Sequence, residues 1–135
     1  MGCIDTVVLP LGIAPPPIVD FTLSAPDGCS PWCVDFTNMS IVSASAPVSY
    51  IWTFGDGTTS TNVSPTHCFV NSSTTDFAMF TVKLDVINGG CMRDTTIVDM
   101  ITVFPSPIAE FTYNPSTLNE YNTLANFTDL SKSDI

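Results

Sequence analysis

Between residues 18 and 104 the apolar and polar positions alternate in short runs, the period of strands with one face buried. Val34 and Phe36 fall on one side of the run Cys33–Asn38, with Cys33, Asp35 and Thr37 on the other. Tyr50, Trp52 and Phe54 share a face of Val48–Phe54, and Phe80, Val82, Leu84 and Val86 form a series against Thr81, Lys83 and Asp85. With Ile18–Leu23, Thr66–Val70 and Ile97–Phe104, these runs predict about seven short strands in a unit of about 90 residues, without helical periodicity. Gly55-Asp56-Gly57 and Gly89-Gly90 supply turns. The last run needs a bulge, because Ile101 and Val103 fall opposite in phase to Val98 and Met100. The predicted class is all-β: a two-sheet sandwich in which the Trp52, Phe36 and Leu84 faces meet.

The chain also matches itself. Gly2-Cys3-Ile4-Asp5-Thr6 is similar to Gly90-Cys91-Met92-Arg93-Asp94-Thr95, Pro17–Thr22 to Pro107–Thr112, and Phe36–Ser40 to Phe127–Ser131. The offsets are 88 (Cys3 to Cys91), 90 (Phe21 to Phe111) and 91 (Phe36 to Phe127). Three segments recurring in one order with single-residue slips mark a tandem repeat. Residues 1–14 read as the last strand of a preceding repeat, 16–105 as one complete repeat and 106–135 as the first strands of a following one. Pro15-Pro16-Pro17 and Pro105-Ser106-Pro107 stand at the joints and stiffen them.

Composition narrows the partners. Thirteen acidic residues, three basic ones and one histidine give a formal net charge of −10, which excludes nucleic acid and anionic membrane, both of which need a basic footprint. The same charge suits hard cations such as calcium. Apolar residues make up 44% and charged residues only 12%, with many aromatic and β-branched side chains, so the chain folds rather than remaining a disordered acidic tail. Five cysteines without zinc-site spacing point to disulfides and an oxidising compartment. Val7–Val19 is apolar but broken by Pro10, Pro15, Pro16 and Pro17, and it is too short to span a bilayer, so it is not expected to be a signal peptide or a membrane span. An exported protein of this kind is expected to be an excised fragment or a processed form.

Tyr50-Ile51-Trp52-Thr53-Phe54-Gly55-Asp56-Gly57-Thr58-Thr59-Ser60 resembles the signature of PKD (polycystic kidney disease) domains, with Thr53 in place of the usual acid. Pro65-Thr66-His67-Cys68-Phe69 and Phe80-Thr81-Val82-Lys83-Leu84-Asp85-Val86 resemble two further strands of that family. The resemblance covers residues 17–104 and implies an immunoglobulin-like sandwich. Gly28-Cys29-Ser30-Pro31 and Gly90–Thr95 resemble motifs in tandem repeats of Bacteroidota cell-surface adhesins, including cargo of type IX secretion.

In a sandwich of that topology, Cys33 and Cys68 lie outward on neighbouring strands, as a disulfide or as two free thiols. Cys29 and Cys91 belong to hairpins at opposite ends. They either bond to neighbouring repeats or, if the topology differs, pair with each other; Cys3 corresponds to Cys91 of the preceding repeat. Asp56 either ligates calcium or holds its turn through backbone N–H groups. Asp20, Asp27 and Glu110 near the joints are candidate ligands for a structural calcium, the one cofactor anticipated, although no twelve-residue calcium loop is present. Thr6 and Thr95, in Asp-Thr contexts, are candidate sugar acceptors, and Asn38, Asn62, Asn71 and Asn126 open N-glycosylation sequons. His67 has no nucleophile motif around it, and Trp32 is a candidate exposed aromatic. No catalytic constellation is legible, so the chain is expected not to be an enzyme.

The expected role is a non-catalytic extracellular repeat, serving as stalk, filament or adhesin spacer at a bacterial cell surface. Its partners would be neighbouring repeats of the same chain or subunits of a filament, without membrane insertion. The alternative is a glycan- or protein-binding accessory module of a secreted enzyme, which would show a strip of exposed aromatics on one sheet.

Overall fold

The computed structural model describes residues 15–114, 120–121 and 124–132. One sheet holds β1 (Phe21–Leu23), β3 (Trp32–Asn38) and β6 (Thr66–Phe69), in the order β1-β3-β6. The facing sheet holds β2 (Asp27–Cys29), β4 (Val48–Thr53), β5 (Thr59–Ser60), β7 (Ala78–Asn88) and β8 (Cys91–Phe104), in the order β2-β8-β7-β4-β5. A separate antiparallel hairpin follows, β9 (Phe111–Asn114) with β10 (Asn126–Asp129).

The period-two faces close on one another. Val34, Phe36, Trp52, Phe54, Phe69, Val82, Leu84, Val86, Ile101 and Val103 are buried together with Phe21. Trp52 stands at the centre, its ring 5.0 Å from that of Phe21 and 5.5 Å from that of Phe36. Its indole N–H donates to the Asn62 carbonyl at 3.0 Å, so the one polar atom of the ring is satisfied. Two asparagines tie loops to the core. Asn88, 1% exposed, donates to the carbonyls of Ser43 and Ala46 and accepts from the Ser43 N–H. Asn71 donates to Asp76 O and Val103 O and accepts from the Ser73 N–H.

Two features differ from the strand pattern expected of the sequence, and the bulge expected in the last strand is present. The segment after β1 does not simply turn back into β3: past Pro26 it crosses to the other sheet, and β2 pairs parallel with β8 through Asp27↔Thr102, Gly28↔Val103 and Cys29↔Phe104. Three-residue β2 and two-residue β5 are too short for alternation to reveal. The last strand starts at Cys91 rather than Ile97, because both glycines of the preceding turn take positive φ (59° at Gly89, 83° at Gly90) and let pairing begin at Asn88↔Cys91. The phase conflict in this strand is resolved by a bulge. Phe80 pairs with Ile101 and Val82 with Ile97, so the extra residues of β8 around Asp99 loop out, with Asp99 at φ 52° and its N–H donating to Thr81 Oγ1.

The β9–β10 hairpin repeats the β1–β3 hairpin pair for pair. Phe21↔Asn38 and Leu23↔Phe36 have their counterparts in Phe111↔Asp129 and Tyr113↔Phe127. The flanking bridge Ile18↔Ile41 recurs as Ile108↔Lys132. The hydroxyl of Ser40 accepts from the Asp20 N–H and donates to the Asp20 carbonyl, as Ser131 does with Glu110. Residues 1–14, with Cys3 and Thr6, lie outside the described residues.

Candidate functional site

The Gly-Asp-Gly turn after β4 carries a cluster of polar side chains, Asp56, Thr58 and His67. Gly55 and Gly57 have φ of 80° and 90°, and a Cβ at Gly55 would stand 2.6 Å from the Thr81 carbonyl oxygen, so both backbone angle and space demand glycine there. Asp56 Oδ1 accepts the Thr58 N–H at 2.9 Å and the Thr58 hydroxyl at 2.6 Å, while Oδ2 lies 2.7 Å from His67 Nε2. The His67 ring stacks on Phe54, centroids 4.0 Å apart. Partial burial raises the Asp56 carboxyl, but the bonds from Thr58 and His67 outweigh it and hold the group below the ordinary carboxylate range.

Thr58, His67 and Asp56 superficially make a hydroxyl–imidazole–carboxylate set. Their geometry is not that of a relay. A relay uses one ring nitrogen for the nucleophile and the other for the carboxylate. Here Thr58 Oγ1, at 3.2 Å, and Asp56 Oδ2 meet the same Nε2. With Nε2–H donating to Oδ2 and the Thr58 hydroxyl donating to Oδ1, neither proton is left for catalysis. The cluster clamps the β4–β5 turn to β6.

Cys33 and Cys68 face each other in the β3–β6 register, between hydrogen-bonded neighbours where antiparallel strands approach most closely, and they form a disulfide with S–S 2.01 Å. Cys29 and Cys91 are free thiols, the first exposed and the second half-buried. Cys29 is registered against Phe104, the last residue of β8, and Cys91 is the first residue of that strand. Fourteen residues at about 3.3 Å each put them roughly 40 Å apart, at opposite ends of the sandwich, which rules out a bond between them within one copy.

The joint acids do not converge. Asp20 Oδ1 accepts the N–H of Phe21, Asp27 lies in β2 opposite Thr102, and Glu110 belongs to the separate hairpin. Among the described residues no three His, Cys, Asp or Glu side chains gather in a metal-binding array. The Thr95 hydroxyl donates to Val19 O at 2.8 Å and so holds the incoming chain against β8. The Asn71 amide is likewise committed to two carbonyls. Trp32 lies over Gly28, where a Cβ would come within 2.1 Å of its ring, and donates to Ala25 O; it is a packed, half-buried residue rather than an open platform.

Alternation did not reveal the site that stands out most. Phe111, Tyr113 and Phe127 are 64%, 47% and 69% exposed and form a cluster of tilted rings 5.9–6.4 Å apart. The self-match of residues 107–112 and 127–131 was the signal that located it.

Residues 15–103 match the family model of the PKD domain. Collagenase ColA of Bacillus cereus is 34% identical over 77 residues, 57% of this chain but only 7% of the collagenase. Among solved structures, the PKD1 domain of Vibrio anguillarum Epp is similar at 25% identity and TM-score 0.51, over 67% of this chain and 99% of that one. The PKD1 domain of the Vibrio cholerae metalloprotease PrtV is similar at 27% identity and TM-score 0.50, over 65% and 96% of the two chains. A carbohydrate-binding module of the β-sandwich superfamily shares the fold at 18% identity and TM-score 0.55, over 86% of this chain and 54% of its own.

Proposed function

The chain belongs to the PKD domain family, and from that premise we propose that it is a non-catalytic, extracellular repeat whose work is to space and to carry tension in a larger bacterial surface protein. The observation that supports this most is the parallel pairing of β2, near the start of the domain, with β8, its last strand. The chain comes in beside Thr95, which holds Val19, and runs along β8 as β2, where Thr102 N–H donates to Pro26 O. It leaves past Phe104, whose carbonyl accepts from Ser30 N–H. The incoming and outgoing strands therefore run the same way, and the chain enters the domain at one pole, beside Thr95, and leaves it at the other, past Phe104. Pulling the ends apart loads the β2–β8 hydrogen bonds together, in shear, instead of opening them one at a time. The Cys33–Cys68 bond lies on the other sheet and limits extension once those bonds fail.

In this reading Cys29 and Cys91, at opposite poles, cross-link successive repeats: the Cys29 thiol of one unit and the Cys91 thiol of the next lose two protons and two electrons to a disulfide-exchange oxidant of the export compartment. Low sugar-binding capacity fits as well. Within the complete sandwich Trp52 is buried, Trp32 is packed on Gly28, and Phe77 is a single exposed ring rather than a strip.

A second reading follows from the proteases that carry related domains, Collagenase ColA and the metalloprotease PrtV: an accessory module that holds a secreted enzyme near its substrate. Force spectroscopy of the chain anchored at its two ends separates the two. The tension reading expects a distinct unfolding peak that Thr102→Pro, which deletes one β2–β8 bond, lowers markedly. An unchanged peak in that variant, together with measurable binding of the chain to collagen or polysaccharide, would move the assignment to the accessory module.

A further inference from the structure

We propose that the β9–β10 hairpin is a docking half-site for one occupant: a Trp-centred sheet of the kind formed by β4, β7 and β8, joined in line to the hairpin as the rest of a second repeat. The inference rests on the tandem-repeat reading of the chain but not on its mechanical role.

The complete repeat shows what the hairpin face is built to meet. Phe21 and Phe36 belong to the β1–β3 hairpin, and their rings contact Trp52 and Phe54 of the opposing sheet, at 5.0 Å for Phe21–Trp52, 5.5 Å for Phe36–Trp52 and 5.5 Å for Phe36–Phe54. Phe111 and Phe127 hold the same register positions, with Tyr113 in place of Leu23. The polar frame recurs too: Leu130 N–H donates to Glu110 O as Met39 N–H does to Asp20 O, and Lys132 N–H donates to Ile108 O as Ile41 N–H does to Ile18 O. Asp129 accepts the Ser131 N–H as Asn38 accepts that of Ser40. A hairpin conserved in frame and face within one chain keeps the shape of its counterpart's partner.

Exposure of the three rings is large enough to mark a contact surface. Their arrangement argues against a sugar platform. The planes are inclined to one another by 34–51°, close to the 42° and 46° that Phe36 makes with Phe54 and Trp52 inside the core, whereas a flat platform needs near-coplanar rings. Inclined rings interdigitate with a second aromatic layer.

The test extends the full chain after Lys132 with a second copy of its own residues 42–104, which adds one tryptophan, the duplicate of Trp52. Docking predicts blue-shifted emission from the added tryptophan. Amide exchange at 111–114 and 126–129 should slow by at least about 100-fold relative to the unextended chain. Phe111→Ser with Phe127→Ser in the extended chain should abolish both signals and leave the first sandwich intact. An added segment that stays unfolded beside an intact first sandwich would overturn the proposal. So would an unextended chain whose hairpin is already protected in a concentration-dependent dimer, since the face would then be a self-association surface.

Discussion

Phe21 and Phe111 occupy equivalent positions of two like strand pairs ninety residues apart, yet Phe21 is 4% exposed and Phe111 is 64% exposed. Local sequence gives both the same strand, register and polar frame. Burial depends on whether a second sheet lies opposite, and Phe21 has Trp52 there.

The Trp52 contacts make a clear expectation. Trp52→Ala removes the central ring and leaves the Asn62 carbonyl without its donor, so it should cost roughly 3–5 kcal/mol, enough to unfold much of a marginal domain. Urea unfolding of the variant, followed by far-UV circular dichroism, measures this; a loss below about 1 kcal/mol would mean that the core is organised otherwise.

The Cys33–Cys68 bond closes a loop with a sequence separation of 35. In the chain-entropy account, opening it costs roughly 3–4 kcal/mol. Cys33→Ala with Cys68→Ala should lower the denaturation midpoint accordingly without changing the pattern of slow amide exchange in β7. Equal midpoints for the oxidised protein and the double variant would show that the bond adds no net stability.

Asp56 gives the pH dependence a direction. Its folded pKa lies below the ordinary aspartate value of 3.8, so its contribution is fully present above that value and is lost as pH falls through the lower, folded pKa. Asp56→Asn should be less stable than the parent at neutral pH and should lose less stability on acidification below about pH 4. Thermal unfolding between pH 7 and pH 2 reads the difference; parallel profiles would remove Asp56 from the acid limb.

Gly55→Ala places a methyl group at positive φ and 2.6 Å from the Thr81 carbonyl oxygen. A destabilisation of about 1–3 kcal/mol is expected, against about 1 kcal/mol or less for Gly57→Ala, which shares the unfavourable φ but meets nothing within 4 Å. Paired denaturation curves of the two variants decide it, and equal losses would place the whole cost in the backbone angle.

Alternation by itself determined the class of fold and much of the core: Val34, Phe36, Trp52, Phe54, Val82, Leu84 and Val86 are buried, because a period-two face leaves an apolar residue one side to occupy. The need for a bulge before Ile101 was legible for the same reason, and the glycines of the Gly-Asp-Gly turn were legible as turn formers. That Asp56 holds its own turn through a backbone N–H was legible too, and Thr58 supplies it; its contact with His67 was not, since His67 lies on β6, which only folding brings to the turn. Nor was the crossing of β2 to the second sheet, whose three residues contain no alternation to read and whose parallel partner lies 75 positions away at Thr102. That crossing sets the direction in which the ends of the domain can be pulled and places Cys29 and Cys91 at opposite poles. Both are consequences of long-range strand pairing, which the hydrogen bonds and packing of the whole sandwich select and no local pattern of side chains encodes.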